Sequence, residues 1–302
     1  MNTATAKLKA RKRYNYAAFL YISPWLIGML AFQLYPFIAS LVYSFTRFSI
    51  LTPPKFVGLQ NFIQIFSDDK TFLQSLKVTL IYVFIAVPAK LAFALFIAMV
   101  LNLKIRYVNF YRTVYYMPSI LGGSVAVSIL WKFLFARQGL INQLFSTLHL
   151  PRIDWLGNPD LALYTISLLT VWQFGSSMVI FLAGLKQIPR DLYDAATVDG
   201  SGRIRTFMNI TLPLITPMIF FNLIMQMVNA FQQFTPAFVI TNGGPMKATY
   251  LYGLMIYENA FNFFKMGYAS ALSWILFAIM MAFTAMVFKS SPYWTHYEDG
   301  EN

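Results

Sequence analysis

Six long apolar runs divide this chain, and they constrain its fold more than any other feature. A helix rises about 1.5 Å per residue, so crossing a bilayer core about 30 Å thick takes roughly 20 residues, and each run is about that long or longer. Of the 302 residues 58% are hydrophobic and only 11% are charged, as in a polytopic membrane protein. The sequence therefore predicts an all-α fold with six transmembrane helices, at about 17–45, 76–101, 114–135, 161–185, 212–234 and 268–288.

The first apolar run follows a basic segment, as the apolar region of a signal peptide does. That region is normally about 7 to 15 residues long and ends at a small-residue cleavage site. The run at 17–45 is much longer and shows no clear cleavage site. It is therefore predicted to be a retained first span, kinked at Pro36.

Basic residues are concentrated in alternate intervals between the apolar runs. Five Lys or Arg residues lie in 1–16, three in 103–113 and four in 186–211. Because cytoplasmic loops carry an excess of Lys and Arg, these intervals are predicted to be cytoplasmic. This gives a cytoplasmic N-terminus (1–16), a membrane domain (17–289) and a cytoplasmic tail (290–302). The net charge of +12 then reflects orientation in lipid rather than nucleic-acid binding.

A polar interval between the fourth and fifth apolar runs has the signals of two short helices. Pro189 suits the first position of a helix, and Gly200 suits the end of that helix. Ser201 is predicted to cap a second helix, from Gly202 to about Ile210. The interval should therefore form a helix, a glycine turn and a helix on the cytoplasmic side.

This interval resembles the EAA loop of the permease subunits of ABC importers, in which Glu-Ala-Ala is followed by Asp-Gly and later by Ile, Leu and Pro. In that family the loop, here about 186–213, is a coupling helix that docks in a cleft of a separate ATPase. Two residues differ: Asp194 replaces the leading Glu, and Ser201 replaces the usual Ala. The alternative is an ordinary amphipathic cytoplasmic loop. The resemblance implies that the ATPase-coupling residues are Asp194, Ala195, Ala196, Asp199 and Gly200.

The resemblance extends to both external regions and so covers nearly the whole chain. FLYISPWLIG from Phe19 and GLQNF from Gly58 resemble the start of one class of carbohydrate permease. TNGGP from Thr241 resembles the TxGGP sequence of carbohydrate permeases, in an external loop at about 235–267. The family implies a bacterial cell-membrane importer with a second homologous permease subunit, a cytoplasmic ABC ATPase dimer and an extracytoplasmic solute-binding protein.

The titratable residues do not predict an enzyme. No GxxxxGK[ST] sequence is present, so ATP must be hydrolysed by a partner subunit. The chain has no cysteine, and its histidines, His149 and His296, fall on opposite sides of the predicted membrane, where they cannot share a metal. No catalytic residue, metal or cofactor is predicted. The predicted spans also lack acidic residues, which argues against a secondary carrier, since proton-coupled carriers use intramembrane carboxylates or histidines.

Uncharged polar residues mark a candidate substrate pathway. On the fifth run, four amide residues are spaced 4, 3 and 4 apart, which places them along one face of a helix. Amides both donate and accept hydrogen bonds, so a pathway lined by them suits a sugar or oligosaccharide without charge. The alternative is a set of interhelical hydrogen bonds, each worth about 0.6 kcal/mol. The pathway candidates are Asn222, Gln226, Asn229 and Gln233, with Gln173 and Ser176 from the fourth run.

Lys90 is the one charged residue placed well inside a predicted span. Its side chain is expected to face protein or water or to extend to the membrane surface, and a role in transport remains open. An importer of the same type for another solute, such as glycerol phosphate, is the alternative function. A phosphate would require positive charge in the pathway, and only Lys90 is available there.

Overall fold

The computed structural model describes residues 19–103 and 106–296. The predicted basic N-terminus (1–16), Lys104 and the tail beyond residue 296 lie outside the described residues. Within them the elements are α1 Phe19–Ser44, β1 Thr46–Ser49, β2 Thr52–Phe56, α2 Gln60–Ser67, α3 Lys70–Asn102, α4 Val108–Leu121, α5 Val125–Phe135, α6 Leu140–Thr147, α7 Pro159–Trp172, α8 Gly175–Gln187, α9 Arg190–Val198, α10 Arg203–Leu214, α11 Thr216–Phe231, α12 Tyr252–Tyr257 and α13 Met266–Ser290.

Three single helices are long and apolar enough to cross a membrane: α1, α3 and α13 with its terminal 3₁₀ turn. Three further pairs qualify only when taken together, because each is bent at a short break. The bends are 101° between α4 and the segment Val125–Thr147, 47° between α7 and α8, and 65° between α10 and α11. Counting each pair as one broken span gives the six predicted spans.

The chain divides into two compact units. One comprises the described part of Met1–Ser67 together with Asn259–Trp274. Its β1–β2 hairpin is antiparallel, and Asn61 of α2 ties it to α1, since its amide Nδ2 donates to the carbonyl oxygens of Ser44 (2.8 Å) and Thr46 (3.0 Å). The GLQNF sequence therefore holds a helix against a hairpin.

The other unit comprises Asp68–Glu258 and the described part of Ile275–Asn302. Its centre is α3, which packs against α7, α8 and α11. Small side chains on α3 let these neighbours approach closely: Ala86, Ala94 and Ala98 are each 0% exposed. The unit is therefore a helical bundle around one long apolar helix.

Local capping explains where several helices of this unit begin. The Asp69 carboxylate accepts from the backbone N–H of Thr71 (2.8 Å) at the start of α3. The Ser124 hydroxyl and the Asn158 side chain cap α5 and α7 in the same way. Each cap satisfies a backbone donor that the first helical turn leaves unpaired.

Three details differ from the sequence-based predictions. Pro189 is the N-cap residue of α9 rather than its first helical residue. Gly202, not Ser201, is the N-cap of α10. This helix also continues past Ile210 to Leu214, because the chain forms a π-helical turn at Phe207–Thr211 and remains helical there. The irregularity in α1 is likewise a π-helical turn, at Leu30–Leu34, just before Pro36.

Candidate functional site

A polar cavity of about 300 Å³ lies within the second unit, beside α3, α11 and the breaks in two bent spans. This volume is at the lower end of the range for ligand pockets, roughly 300 to 1,000 Å³. Its polar lining comes from α3 (Lys90), α4 (Ser119), α7 and the α7–α8 break (Thr170, Gln173), α8 (Ser176) and α11 and its C-terminal end (Gln226, Asn229, Gln233).

The structure brings together five of the six residues predicted for a substrate pathway. Gln173, Ser176, Gln226, Asn229 and Gln233 all line the cavity, although they come from two spans. The last two intervals of the 4, 3 and 4 spacing, from Gln226 to Gln233, therefore do bring three amides to one cavity.

The sixth residue, Asn222, does not line the cavity. It is 0% exposed, and neither polar atom of its side chain has a hydrogen-bond partner among residues 19–103 and 106–296. The Ser177 hydroxyl on α8 is also buried without a partner in that part of the chain. The two residues belong to helices that pack against each other.

Ser119 of α4 forms hydrogen bonds with backbone groups on both sides of the break between α7 and α8. Its hydroxyl donates to the carbonyl oxygen of Gln173 (3.0 Å) and accepts from the N–H of Ser176 (2.9 Å). One side chain thus pairs the last acceptor before the break and a donor after it. Sequence analysis missed Ser119, because nothing local marks a residue that acts 54 positions away.

Two glycines allow the broken spans to approach each other. A Cβ atom on Gly175 would lie 2.6 Å from the carbonyl oxygen of Tyr115, and one on Gly122 would lie 2.3 Å from Cδ of Gln173. The Gln173 side chain also donates through Nε2 to the carbonyl oxygen of Gly122 (2.6 Å). The cavity wall therefore depends on the absence of side chains at both positions.

Behind the cavity, the fully buried Tyr82 of α3 connects two of its walls. The Tyr82 and Thr170 hydroxyls are 2.5 Å apart. This hydrogen bond joins α3 to α7 behind the cavity. Tyr82 and Thr170 were not predicted from the sequence, which offers no local signal for either.

The predicted coupling loop is a helical hairpin formed by α9 and α10. Gly200 has φ +69°, a left-handed conformation that glycine adopts without strain. The N–H of Gly200 donates to the carbonyl of Thr197 (3.1 Å) and the N–H of Ser201 to that of Ala196 (2.8 Å), the two bonds of a Schellman motif. A hydrogen bond of 3.1 Å between the Tyr193 and Thr211 hydroxyls joins the two helices.

The five residues predicted to couple to an ATPase lie together on this hairpin. Ala195, Ala196 and Asp199 line a shallow groove of about 340 Å³ between α9 and α10. Asp194 is exposed and forms no ion pair with any residue that the structure describes. Several apolar side chains on the same hairpin are also exposed: Leu192, Val198, Ile204 and Met208.

The loop around the TNGGP sequence, which is predicted to be external, combines short-range hydrogen bonds with two long-range bonds to α3. Lys247 donates to the Thr71 hydroxyl (3.1 Å), and the N–H of Tyr252 donates to the Thr79 hydroxyl (2.8 Å). The Thr241 and Thr249 hydroxyls are 2.6 Å apart, and the Thr249 hydroxyl donates to the carbonyl oxygen of Gly244 (2.7 Å). Further along, the Tyr250 hydroxyl donates to the Glu258 carboxylate at 2.5 Å. Burial, reinforced by this bond and by the negative charge of Glu258, raises the pKa of Tyr250.

The chain is similar to known transport proteins along almost its whole length. Residues 26–291 match the family described as binding-protein-dependent transport system inner membrane component. The chain is 50% identical to the probable ABC transporter permease protein YesP of Bacillus subtilis (strain 168), covering 99% of both chains. It is 32% identical to the trehalose/maltose transport system permease protein MalF of Thermococcus litoralis, covering 95% of this chain and 97% of the relative.

A solved structure shows the same fold. A chain of a bacterial ABC transporter involved in the import of the acidic polysaccharide alginate superposes with a TM-score of 0.83. The match covers 96% of this chain and 100% of that chain at 19% sequence identity. The likeness supports an ABC importer permease fold, in which the three long helices and the three bent pairs are consistent with six spans.

Proposed function

Because the chain belongs to the family of binding-protein-dependent transport system inner membrane components, we propose that its cargo is a sugar or oligosaccharide. It is a multi-pass cell-membrane protein, the permease subunit of an ABC importer, and it is not an enzyme. Its amides and hydroxyls would contact the cargo, and its α9–α10 hairpin would receive the conformational signal of ATP hydrolysis from a separate subunit.

The observation that carries the proposal is the meeting of four amides and three hydroxyls in one cavity. Each amide offers both donors and acceptors, so together they can replace the water that surrounds sugar hydroxyls. Gln173 also joins helices, since it donates to the Gly122 carbonyl. The side chains of Gln226 and Asn229, in contrast, line the cavity without a hydrogen bond to any residue that the structure describes, unlike amides that only join helices. The named cargoes of two similar proteins, trehalose or maltose and alginate, are also carbohydrates.

The α9–α10 hairpin has the properties of a docking surface for an ATPase. Its groove is lined by small side chains, Ala195 and Ala196, beside exposed apolar ones such as Leu192. Exposed apolar side chains on a polar hairpin fit a surface that a partner covers. The Schellman motif gives the hairpin a fixed shape. A movement of the ATPase would therefore displace the hairpin as a unit rather than deform it.

The other components follow from this arrangement. A second homologous permease subunit would supply the opposite half of the pathway, and an ATPase dimer would bind one coupling hairpin from each permease. An extracytoplasmic solute-binding protein would deliver the cargo. The hairpin and both termini would then lie in the cytoplasm, in agreement with the concentration of basic residues in 1–16 and 186–211.

The proposal is tested with the complete importer, reconstituted in liposomes with its second permease, ATPase and solute-binding protein. We expect a carbohydrate added with the binding protein to stimulate ATP hydrolysis and to accumulate in the liposomes. Amino acids and short peptides should do neither. Stimulation and uptake by one of those instead of any carbohydrate would refute the assignment of cargo while leaving the assignment to the family intact.

A further inference from the structure

Lys90 is the one charged residue among those that line the cavity. It is only 7% exposed, and it has no hydrogen-bond or ion-pair partner within residues 19–103 and 106–296. An ionisable residue inside a membrane span is costly and ordinarily has a functional partner. No carboxylate is among the described residues that line this cavity, so an anionic partner for Lys90 would have to come from outside the described part of the chain.

We propose that Lys90 binds an acidic group of the cargo, so that the importer carries an acidic carbohydrate: one that bears a carboxylate, a phosphate or a sulfonate. This inference rests on the proposed function, narrows its substrate class and replaces the sequence-based prediction of a cargo without charge. The amides of α11 would contact the hydroxyl groups of the same molecule, and Lys90 would supply the charge that they lack.

The position of Lys90 on α3 excludes an extended side chain that reaches the membrane surface. Lys90 lies one turn from Ala86 and one turn from Ala94, which are both 0% exposed, so all three residues share the inward face of the helix. Neighbouring helices cover this face. The amine is therefore confined to the cavity.

The broken spans add to the positive potential of the cavity. α8, with 13 residues, begins at Gly175, and its second residue, Ser176, lines the cavity. α5, with 11 residues, begins just after Gly123, which also lines it. The N-terminal end of a helix carries partial positive charge, and half-helices in transporters direct these ends at anionic groups of the substrate.

The test measures direct binding to the complete importer in nanodiscs, without the solute-binding protein. Three matched pairs of probes separate the possible acidic groups: trigalacturonic acid and its carboxyl-reduced form, sn-glycerol 3-phosphate and glycerol, and a 6-sulfo-6-deoxyglucoside and the glucoside. The importer carries wild-type Lys90, Lys90→Met or Lys90→Arg. Lys132→Met is the control, since it removes the same charge at an exposed position on α5 outside the cavity.

We expect at least one acidic probe to bind wild type roughly 10- to 100-fold more tightly than its neutral counterpart, the range of a hydrogen bond to a charged group. Lys90→Met should abolish this preference, while Lys90→Arg and Lys132→Met should retain it. The pair that shows the preference identifies the acidic group. If Lys90→Met does not assemble, Lys90→Gln replaces it, because its amide can bond to the surrounding amides.

Equal binding of acidic and neutral probes by wild type, or a preference that survives Lys90→Met, overturns the proposal. Lower recovery of the Lys90→Met complex without any acid preference in wild type would instead indicate a carboxylate of the second permease as the partner, and also overturns it. Binding of neutral carbohydrates alone leaves the proposed function standing. If no carbohydrate of either kind binds or is transported, the proposed function fails as well.

Discussion

The α9–α10 hairpin and the polar cavity are built in different ways. The hairpin is closed by hydrogen bonds between residues close in sequence, and its widest, from Tyr193 to Thr211, spans 18 positions. The cavity is closed by bonds that span 54 positions, from Ser119 to Gln173, and 88 positions, from Tyr82 to Thr170. A substitution in the hairpin should therefore alter one surface of the protein. A substitution at the cavity should alter the packing of several helices.

The largest effect is expected from Gly200→Pro, which should reduce transport about 100-fold or more while cargo still binds. Proline fixes φ near −65° and cannot adopt the value of +69° found at Gly200. Loss of the Schellman motif at a cost of about 3 kcal/mol would displace α9 from its partner. ATP-driven uptake, cargo binding and co-purification of the ATPase are measured together.

Gly202→Ala is the matched control for this prediction. Gly202 has φ −70°, and no atom lies within 4 Å of the position its Cβ would take, so alanine fits there. Ala196→Trp, which fills the groove of the hairpin, should reproduce the loss of uptake. Normal uptake and normal ATPase recovery in both Gly200→Pro and Ala196→Trp would show that the hairpin is not the coupling surface.

The same difference explains what could be predicted from the sequence. The two-helix form of the hairpin and the end of α9 at Gly200 were confirmed, because proline, glycine and the short spacing act on their immediate neighbours. The fold class was also confirmed. Apolar length predicted the six-span count, which agrees with three long helices and three bent pairs, but it did not predict the breaks in those pairs. The cap of α10 was wrong by one residue, from Ser201 to Gly202, as expected for a choice between adjacent turn residues.

The cavity was only partly predictable. Helical spacing placed Gln226 and Asn229 on one face, and the structure confirms this shared face. The spacing could not tell that Asn222 on the same stripe would be enclosed by protein, because that depends on which helix covers the end of the stripe. The spacing of the amides also did not indicate Ser119, because the hydrogen-bond partners of Ser119 lie on another span.

Ser119→Ala should have the next largest effect, and it tests whether the cavity depends on distant bonds. The change leaves the Gln173 carbonyl and the Ser176 N–H unpaired, at about 1 to 3 kcal/mol for each group. We expect a lower melting temperature of the complex together with weaker cargo binding, since the α7–α8 break would shift. Both quantities are measured at matched protein levels.

Thr113→Ala is the control on the same helix. The Thr113 hydroxyl is exposed and donates only to the Asn109 carbonyl within α4, at 3.1 Å. Its loss should change neither melting temperature nor binding. If Ser119→Ala behaved like Thr113→Ala, the cavity would not depend on this long-range link, and its contrast with the hairpin would disappear.

Asn229→Leu should weaken apparent cargo affinity roughly 5- to 150-fold, with little change in the recovery of the complex. This range corresponds to about 1 to 3 kcal/mol for one buried hydroxyl group left unpaired. Gln232→Leu is the control: Gln232 is an exposed amide on the same span, and it does not line the cavity. Uptake is measured against cargo concentration, with ATP hydrolysis followed in parallel.

The result of the Asn229→Leu experiment shows whether Asn229 lies in the substrate pathway or only packs helices together. Lower recovery of the complex with unchanged concentration dependence would mean that Asn229 joins helices. Because a binding protein delivers the cargo, a fall in maximal rate alone would still favour the pathway, provided that the ATPase remains bound. An unchanged half-saturation and an unchanged maximal rate would place Asn229 outside it.

The smallest effect is expected in the loop around the TNGGP sequence, where the bond to be removed, from Tyr250 to Glu258, spans only eight positions and bonds to α3 remain. Tyr250→Phe removes the hydrogen bond to Glu258, worth about 1 kcal/mol. The melting temperature of the complex should fall by only a few degrees, and uptake should stay within about twofold of wild type. A large loss of uptake would mean that this loop takes part in transport.

The pH dependence of the melting-temperature difference between wild type and Tyr250→Phe tests whether the Tyr250 hydroxyl causes that difference. The pKa of Tyr250 is raised in the folded state. The stability that its protonated hydroxyl contributes is therefore fully present below the unfolded-state pKa of about 10. It is lost as pH rises through the folded-state pKa. The difference in melting temperature between wild type and Tyr250→Phe should therefore be constant from about pH 7 to 9. It should narrow above about pH 10, where the unfolded tyrosine ionises before the folded one. A difference that instead changed between about pH 7 and 9 would point to a group other than Tyr250, because this hydroxyl remains protonated in both states over that interval.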